Sequence, residues 1–449
     1  MKIHNEVYDF IGVGIGPFNL GLAALASKTP LNYLFFEAKS QFDWHAGLLM
    51  EDCTLQVPLM ADLVTMADPT SPYSYLNYLR QTNRLYAFYF YEDFLIPRQD
   101  YNHYCQWVCQ QLNQLRFGQR VVDVIFDAAG YRVTIACQQT QELSQYLCKN
   151  LVVGIGSSPY WPANSRQLQH PNCLHSSQYL TNKAQLQQLA SITILGSGQS
   201  AAEIYLDLLN EQNNFGYELN WLTRSAGFLP MEYSKLGLEH FSPDYIKHFY
   251  QLDSGVKEQT RQQQNLWYKG ISSKTIGEIY DRLYKRSIAN QAVKTRLQAR
   301  SQLQQVTLNE QTLALTMSHT ESQQAFQINT DALICATGYQ VTSPQFLQSI
   351  SEHFRFDHLG RPTINLHYQL EPAQQNSAQI YMQNAEIHSH GIGAPDLGLG
   401  AHRNAVIINN LLEREFYPVQ QKNVFQTFGV HPDWQTQATS VTHNTCAVL

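Results

Sequence analysis

Two glycine-rich strings carry the residue types needed to hold a pyrophosphate. The first is Gly12-Val-Gly14-Ile-Gly16-Pro17 and the second is Gly196-Ser-Gly198-Gln199-Ser200-Ala201. In such a turn the early glycines let the backbone approach a diphosphate closely, and the free N–H groups of the following helix offset its charge. A lone pattern of this kind also occurs as a simple turn, so its surroundings decide. Glu37 follows the first string at about the 20-residue spacing where a carboxylate meets a ribose hydroxyl. Arg224 stands at the corresponding place after the second string, where a cation pairs with a 2′-phosphate and favours NADPH over NADH. Read blandly, Arg224 is a surface arginine. Pro17 occupies a position where the fingerprint usually has Gly or Ala.

The elements that must position these turns are legible around them. Residues 7–13 read as a buried strand, 19–26 as a small, apolar, closely packed helix, and 33–36 as a second strand ending at Glu37. The string from 191 onward repeats the unit, closing with the strand-like ELNWLTR at Arg224. The expected fold is α/β: two Rossmann-like dinucleotide-binding domains with a smaller, partly helical substrate region. Apolar strands at 151–156 and 331–339 flank the second unit. The first domain is therefore expected over 1–190, the second over 191–330, and a return to the first over 331–449. Residues 225–290 fit neither unit and are expected as a helical insertion over the cleft. Residues 101–116 have helical spacing; the Gln-rich tracts near 259–265 and 372–379 read as solvated helix surface or loop, and the C-terminal TQATSVTHNTCAVL as a loose tail.

Composition narrows the function class. A chain of 449 residues with 44% hydrophobic content can bury the core of two domains. With net charge −6, only 15% charged residues and no long basic run, nothing points to nucleic acid or an anionic membrane. The apolar stretch 10–26 is broken by glycines, Pro17 and Asn19 and lacks the basic start and cleavage site of a signal peptide. A membrane span is not expected, and a cytoplasmic location is. The eight cysteines show neither paired CxxC spacing nor a disulfide framework, and Cys105 and Cys109 fit one helix face.

Two dinucleotide sites on one chain describe a flavoprotein in which NADPH reduces FAD. A disulfide reductase would need a redox dithiol near the first turn, and none is there. The F-x-G-x-x-x-H string expected of Baeyer–Villiger and ordinary flavin monooxygenases is also missing before the second turn, where Gln169 and Pro171 precede His175. What the chain does contain is DFIGVGIGPFNLGLAAL, Phe42-Asp-Trp44-His45, Leu55-Gln56 followed by ADLVTMADPTSPYSYLNYL, GSGQSAAE, ATGY at 336–339 and HSHGIGAPDLGLG at 388–400. In that order, these strings resemble the flavin-dependent N-hydroxylating monooxygenases, the ornithine, lysine and diamine hydroxylases of siderophore pathways. The resemblance runs over nearly the whole chain.

That resemblance implies FAD and NADPH as cofactors, O2 and a small primary amine as substrates, and oxygen transfer through a C4a-hydroperoxyflavin. It places Trp44, His45 and Gln56 against the flavin, Gln56 being the catalytic candidate, and Gly393, Asp396 and Leu397 near the cofactor. Seen alone, Trp44 would be core packing and His45 a satisfied core histidine. His388 and His390 lack the neighbouring Cys or carboxylate ligands of a metal site, and no metal is expected. A dimer or tetramer follows from family habit alone.

Substrate choice turns on departures from the pattern. The amino-acid hydroxylases carry a lysine after the flavin-contacting Gln, suited to an α-carboxylate, and here that position holds Ala61. A second family contact, an Asn before a Pro, falls on Ser242, while Gly393 completes the expected substrate residues. A substrate without the α-carboxylate, such as putrescine, cadaverine or histamine, suits Ala61 better than lysine or ornithine. The alternative keeps the amino acid and gives its carboxylate to Lys235, Lys269 or Arg403. Another class altogether is a non-catalytic flavoprotein redox sensor. An alkylammonium has a pKa of about 10.4, so activity is expected to rise with pH above neutral as the amine loses its proton.

Overall fold

The structure, a computed structural model, describes residues 1–374 and 378–434. The tail expected over 436–449 lies outside the described residues.

Two sheets, one mixed and one parallel, organise the chain. In the first, Lys2–Val13 lies between Tyr33–Phe36 and Leu143–Val153, parallel to both. Leu115–Arg116 extends one edge, and Gln119–Asp127 and Gly130–Cys137 form an antiparallel ribbon on the other side. The central strands are apolar and buried where both faces are covered, over 10–13, 33–36 and 151–153. One face packs on the helix Pro17–Ala26 and the C-terminal helix Gly400–Leu411, the other on the antiparallel ribbon and the 345–353 turn.

The second sheet is parallel throughout, in the order Cys173–His175, Ala332–Cys335, Ser191–Leu195, Glu218–Leu222, Thr295–Gln298. Here the expected boundaries are corrected. Ala332–Cys335, expected back in the first domain, pairs with Ser191–Leu195, and Cys173–His175 also belongs to the second sheet. The chain rejoins the first sheet only at Ile380–Met382, which pairs with Leu143–Val153. A short strand buried on both faces reads the same in either sheet, so the apolar string ALIC carries no address.

The insertion at 225–290 is built mainly of short helices. Ser273–Arg286 packs on Gln199–Phe215, while Pro243–Gln251 and Ser254–Gln263 pack on the short helix Ile387–His390. It thereby joins the second unit to the C-terminal segment. The helix expected over 101–116 runs Arg98–Cys109, with Cys105 buried on its inner face. Among the described residues no helix is long and apolar enough to cross a membrane.

Candidate active site

Both glycine turns open onto one cleft of about 1620 Å³. The first turn is shaped by close contacts that only glycine permits. A Cβ on Gly12 would stand 2.0 Å from the Phe35 ring. Gly14 has φ +87°, and a Cβ there would meet the Gly154 carbonyl at 2.6 Å. Asn19 pins the turn by donating to the carbonyls of Val13 and Gly14. Gly16 is the N-cap of the Pro17–Ala26 helix, has no side-chain cap and nothing within 4 Å of where a Cβ would be. Pro17 takes the first helical position, where a missing N–H costs nothing. The helix end is thus left uncapped towards the cleft, as an anion site requires.

Glu37 closes its strand at the cleft wall. One carboxylate oxygen accepts the Ile15 N–H at 2.8 Å and the other the Lys39 N–H at 2.9 Å, and each retains a lone pair for a ribose hydroxyl.

The second turn repeats the design. Gly196 has φ +147°, and a Cβ on it would lie 2.1 Å from the Ala336 carbonyl. Gly198 is an uncapped N-cap for the 17-residue helix Gln199–Phe215, and Gly198, Gln199 and Ser200 line the cleft. Arg224 sits exposed on the cleft wall just past the strand Glu218–Leu222, where sequence spacing put it. Both units fit a dinucleotide by the same test: an uncapped helix N-terminus beside a turn with no room for side chains.

Between the turns lie Trp44, His45 and Gln56, all on the cleft wall. The Trp44 N–H is held by Asn102, and its ring meets His45 edge-on at 4.3 Å and Tyr101 at 5.2 Å. His45 adopts a left-handed backbone, φ 54°. Crowding by the cleft walls, with Arg98 and Lys39 adding repulsion, pushes its imidazole down to about 4, so it is neutral at pH 7. The Gln56 carbonyl accepts the Tyr233 hydroxyl at 2.6 Å, joining the insertion to this wall.

The remaining candidates do not all reach the cleft. Leu397 lines it, but Ala61, Ser242, Gly393 and Asp396 do not. Ser242 is buried and its hydroxyl caps the helix Pro243–Gln251 by accepting the Tyr245 N–H. Gly393 is enclosed, with no room for a Cβ beside Leu399. Ala61 packs against the 397–399 turn, at 3.7 Å from where a Cβ on Gly398 would be. That turn is capped by Asp396, whose Oδ1 accepts the Gly398 N–H at 2.7 Å. Burial raises the Asp396 carboxyl to about 6. The His388 imidazole donates from Nε2 to the Pro362 carbonyl at 2.8 Å, and His390 is stacked on Tyr368.

Sequence reasoning missed three contributors. Tyr233 holds Gln56, Asp62 ties Val64, Thr65 and Tyr75 into the loop beside Ala61, and Arg98 reaches Glu203 across the two units. Only Asp62 had a local signal, an Asx-type turn in ADLVT.

Comparison with known proteins agrees with this geometry. A family model described as L-lysine 6-monooxygenase/L-ornithine 5-monooxygenase matches residues 6–341. The putrescine N-hydroxylase of Shewanella oneidensis is 44% identical, over 95% of this chain and 85% of its own. That of Acinetobacter baumannii is 42% identical over 94% of each. Among solved structures, the FAD-bound cadaverine monooxygenase of desferrioxamine biosynthesis from Erwinia amylovora superposes with a TM-score of 0.91 at 42% identity, covering 95% of this chain and 99% of that one. With its two dinucleotide units opening on a shared cleft, the chain belongs to the L-lysine 6-monooxygenase/L-ornithine 5-monooxygenase family of flavin-dependent N-hydroxylating monooxygenases.

Proposed function

We propose that this chain hydroxylates the primary amine of a diamine or decarboxylated amine, putrescine, cadaverine or histamine, for siderophore biosynthesis. The observation that carries the reading is the residue at position 61: where the amino-acid hydroxylases carry a lysine for the α-carboxylate, this chain has Ala61, packed outside the cleft lining against the 397–399 turn. The relatives named putrescine N-hydroxylase and cadaverine monooxygenase support it. The cations offered for an amino-acid substrate do not. Arg403 is buried and paired with Glu386, Lys235 is exposed outside the cleft lining, and Lys269 borders the second glycine turn.

In this reading the first turn and Glu37 hold FAD, and the second turn and Arg224 hold NADPH by its pyrophosphate and 2′-phosphate. Reduced flavin supplies the activation of O2, which is cofactor chemistry. The chain's own work is to orient and to exclude water. Trp44, His45 and Gln56 form the wall facing the flavin ring, and the insertion closes the cleft over it through Tyr233. An ammonium must lose its proton before its lone pair can take oxygen, and neutral His45 adds no charge that would repel the cationic substrate as it enters.

A diamine keeps its second ammonium, and Asp396, whose neighbours Pro395 and Leu397 line the cleft, is assigned as its partner through Oδ2, in place of the flavin contact expected from resemblance. Because burial raises this carboxyl to about 6, it is neutral below that pH and charged above it. The KM for diamine is therefore expected to fall as pH rises through about 6. Asp396→Asn should remove that dependence and raise KM by about ten- to hundredfold, the worth of a charged hydrogen bond of about 1.5–3 kcal/mol, with a smaller change in kcat. Steady-state kinetics from pH 5 to 8 check this; an unchanged KM profile would rule the assignment out.

A further inference from the structure

Arg98 opens the helix Arg98–Cys109 in the first unit, and Glu203 lies one turn into the helix Gln199–Phe215 of the second. Their side chains, 10% and 5% exposed, meet in a two-point contact at 2.8 and 2.9 Å. The same guanidinium donates to the carbonyls of Leu48 and Thr54. Leu48 ends the short turn after Trp44 and His45, and Thr54 lies two residues before Gln56. On the other side, Glu203 accepts the Gln199 side-chain amide at 3.0 Å, and the Gln199 carbonyl takes the Ser272 N–H at 2.7 Å. Nonpolar packing follows the same path: Leu48, Met50 and Cys53 of the first unit fill the core of the second. Gly47 fits there because a Cβ on it would lie 1.9 Å from the Ser177 carbonyl.

The wall assigned to the flavin and the turn assigned to NADPH thus hang from one buried pair. We propose that Arg98 and Glu203 are positioning residues for hydride transfer, fixing the distance and angle between the two cofactor sites. A buried ion pair adds little net stability compared with apolar side chains of similar volume, whereas its two-point geometry is strongly directional. The expected consequence of losing it is misalignment more than unfolding. The proposal rests on the reading of the cleft as an FAD and an NADPH site.

The test is anaerobic stopped-flow reduction of the FAD-loaded double variant Arg98→Met/Glu203→Leu by NADPH and by NADPH deuterated at C4. FAD content is expected to match the unsubstituted enzyme and NADP+ affinity to stay within about threefold, while flavin reduction slows at least about tenfold, the order of loss that an ångström-scale misplacement produces. The deuterium isotope effect should persist or grow, because the slowed step is the transfer itself. Should the double variant not fold, Arg98→Gln/Glu203→Gln, which removes both charges and leaves neither buried alone, is expected to slow reduction in the same way. A soluble variant of the pair with a lowered Tm but an unchanged rate of reduction per bound flavin would overturn the proposal, since a purely structural pair behaves so. Failure of the unsubstituted enzyme itself to be reduced by NADPH would instead overturn the functional reading beneath it.

Discussion

Replacing Gly196 by alanine is expected to reduce the rate of flavin reduction by NADPH at least about a hundredfold while leaving bound FAD unchanged. At φ +147° the residue occupies backbone space that is open essentially to glycine alone, and a side chain there costs about 1–3 kcal/mol in strain before any contact is counted. The contact is severe as well: the new Cβ would stand 2.1 Å from the Ala336 carbonyl, at the end of the adjoining strand. The turn has no easy way to give. Its N–H is held by Leu222 and its carbonyl by the Trp221 indole, so relief must come from moving the turn away from the helix N-terminus. That movement dismantles the second pyrophosphate site and spares the first, which is built on other strands. Stopped-flow reduction alongside the flavin-to-protein ratio separates the two effects; normal reduction would show that the turn does not hold NADPH.

Glu37→Ala is expected to act on the other cofactor, weakening FAD binding by about ten- to hundredfold through the loss of charge-assisted hydrogen bonds of about 1.5–3 kcal/mol. Two functions disappear together. The Ile15 N–H, in the middle of the first glycine turn, loses its acceptor, and so does the ribose diol that Glu37 is placed to meet. The variant should purify largely without flavin and regain activity when FAD is added in excess. Titration of the apoprotein by flavin fluorescence measures the shift. Glu37→Gln should lie between the two proteins, because an amide can accept at one of the two backbone N–H groups only. Full flavin occupancy in Glu37→Ala would remove Glu37 from the FAD site.

How much of this could be read beforehand depends on how local each feature is. Gly14 and Gly196 were legible because a strand, a turn with positive φ and a helix form within a single short stretch, and the ends of the next strands carry Glu37 and Arg224 at fixed spacing. The cap at Ser242 is equally local: Ser before Pro at a helix start is a capping pattern, and its hydroxyl accepts the Tyr245 N–H. The strand Ala332–Cys335 was assigned to the wrong sheet because burial on both faces erases the alternation that would have distinguished it. Arg98 and Glu203 stand 105 residues apart, and Tyr233 and Gln56 177 apart, so no spacing rule joins them. The chemistry of the cofactor turns lay in short strings, whereas the connection between the two units exists only in the folded chain.

Oxidation of an amine that has no α-carboxylate is read directly in the product formed. FAD-loaded enzyme supplied with NADPH and O2 is offered putrescine, cadaverine, histamine, ornithine and lysine, and hydroxylamine is assayed separately from NADPH consumption and H2O2 release. Hydroxylated product is expected from one or more of the first three, with kcat/KM at least about a hundredfold above the amino acids, whose carboxylate finds no cation at position 61. Preferential hydroxylation of ornithine or lysine would contradict it.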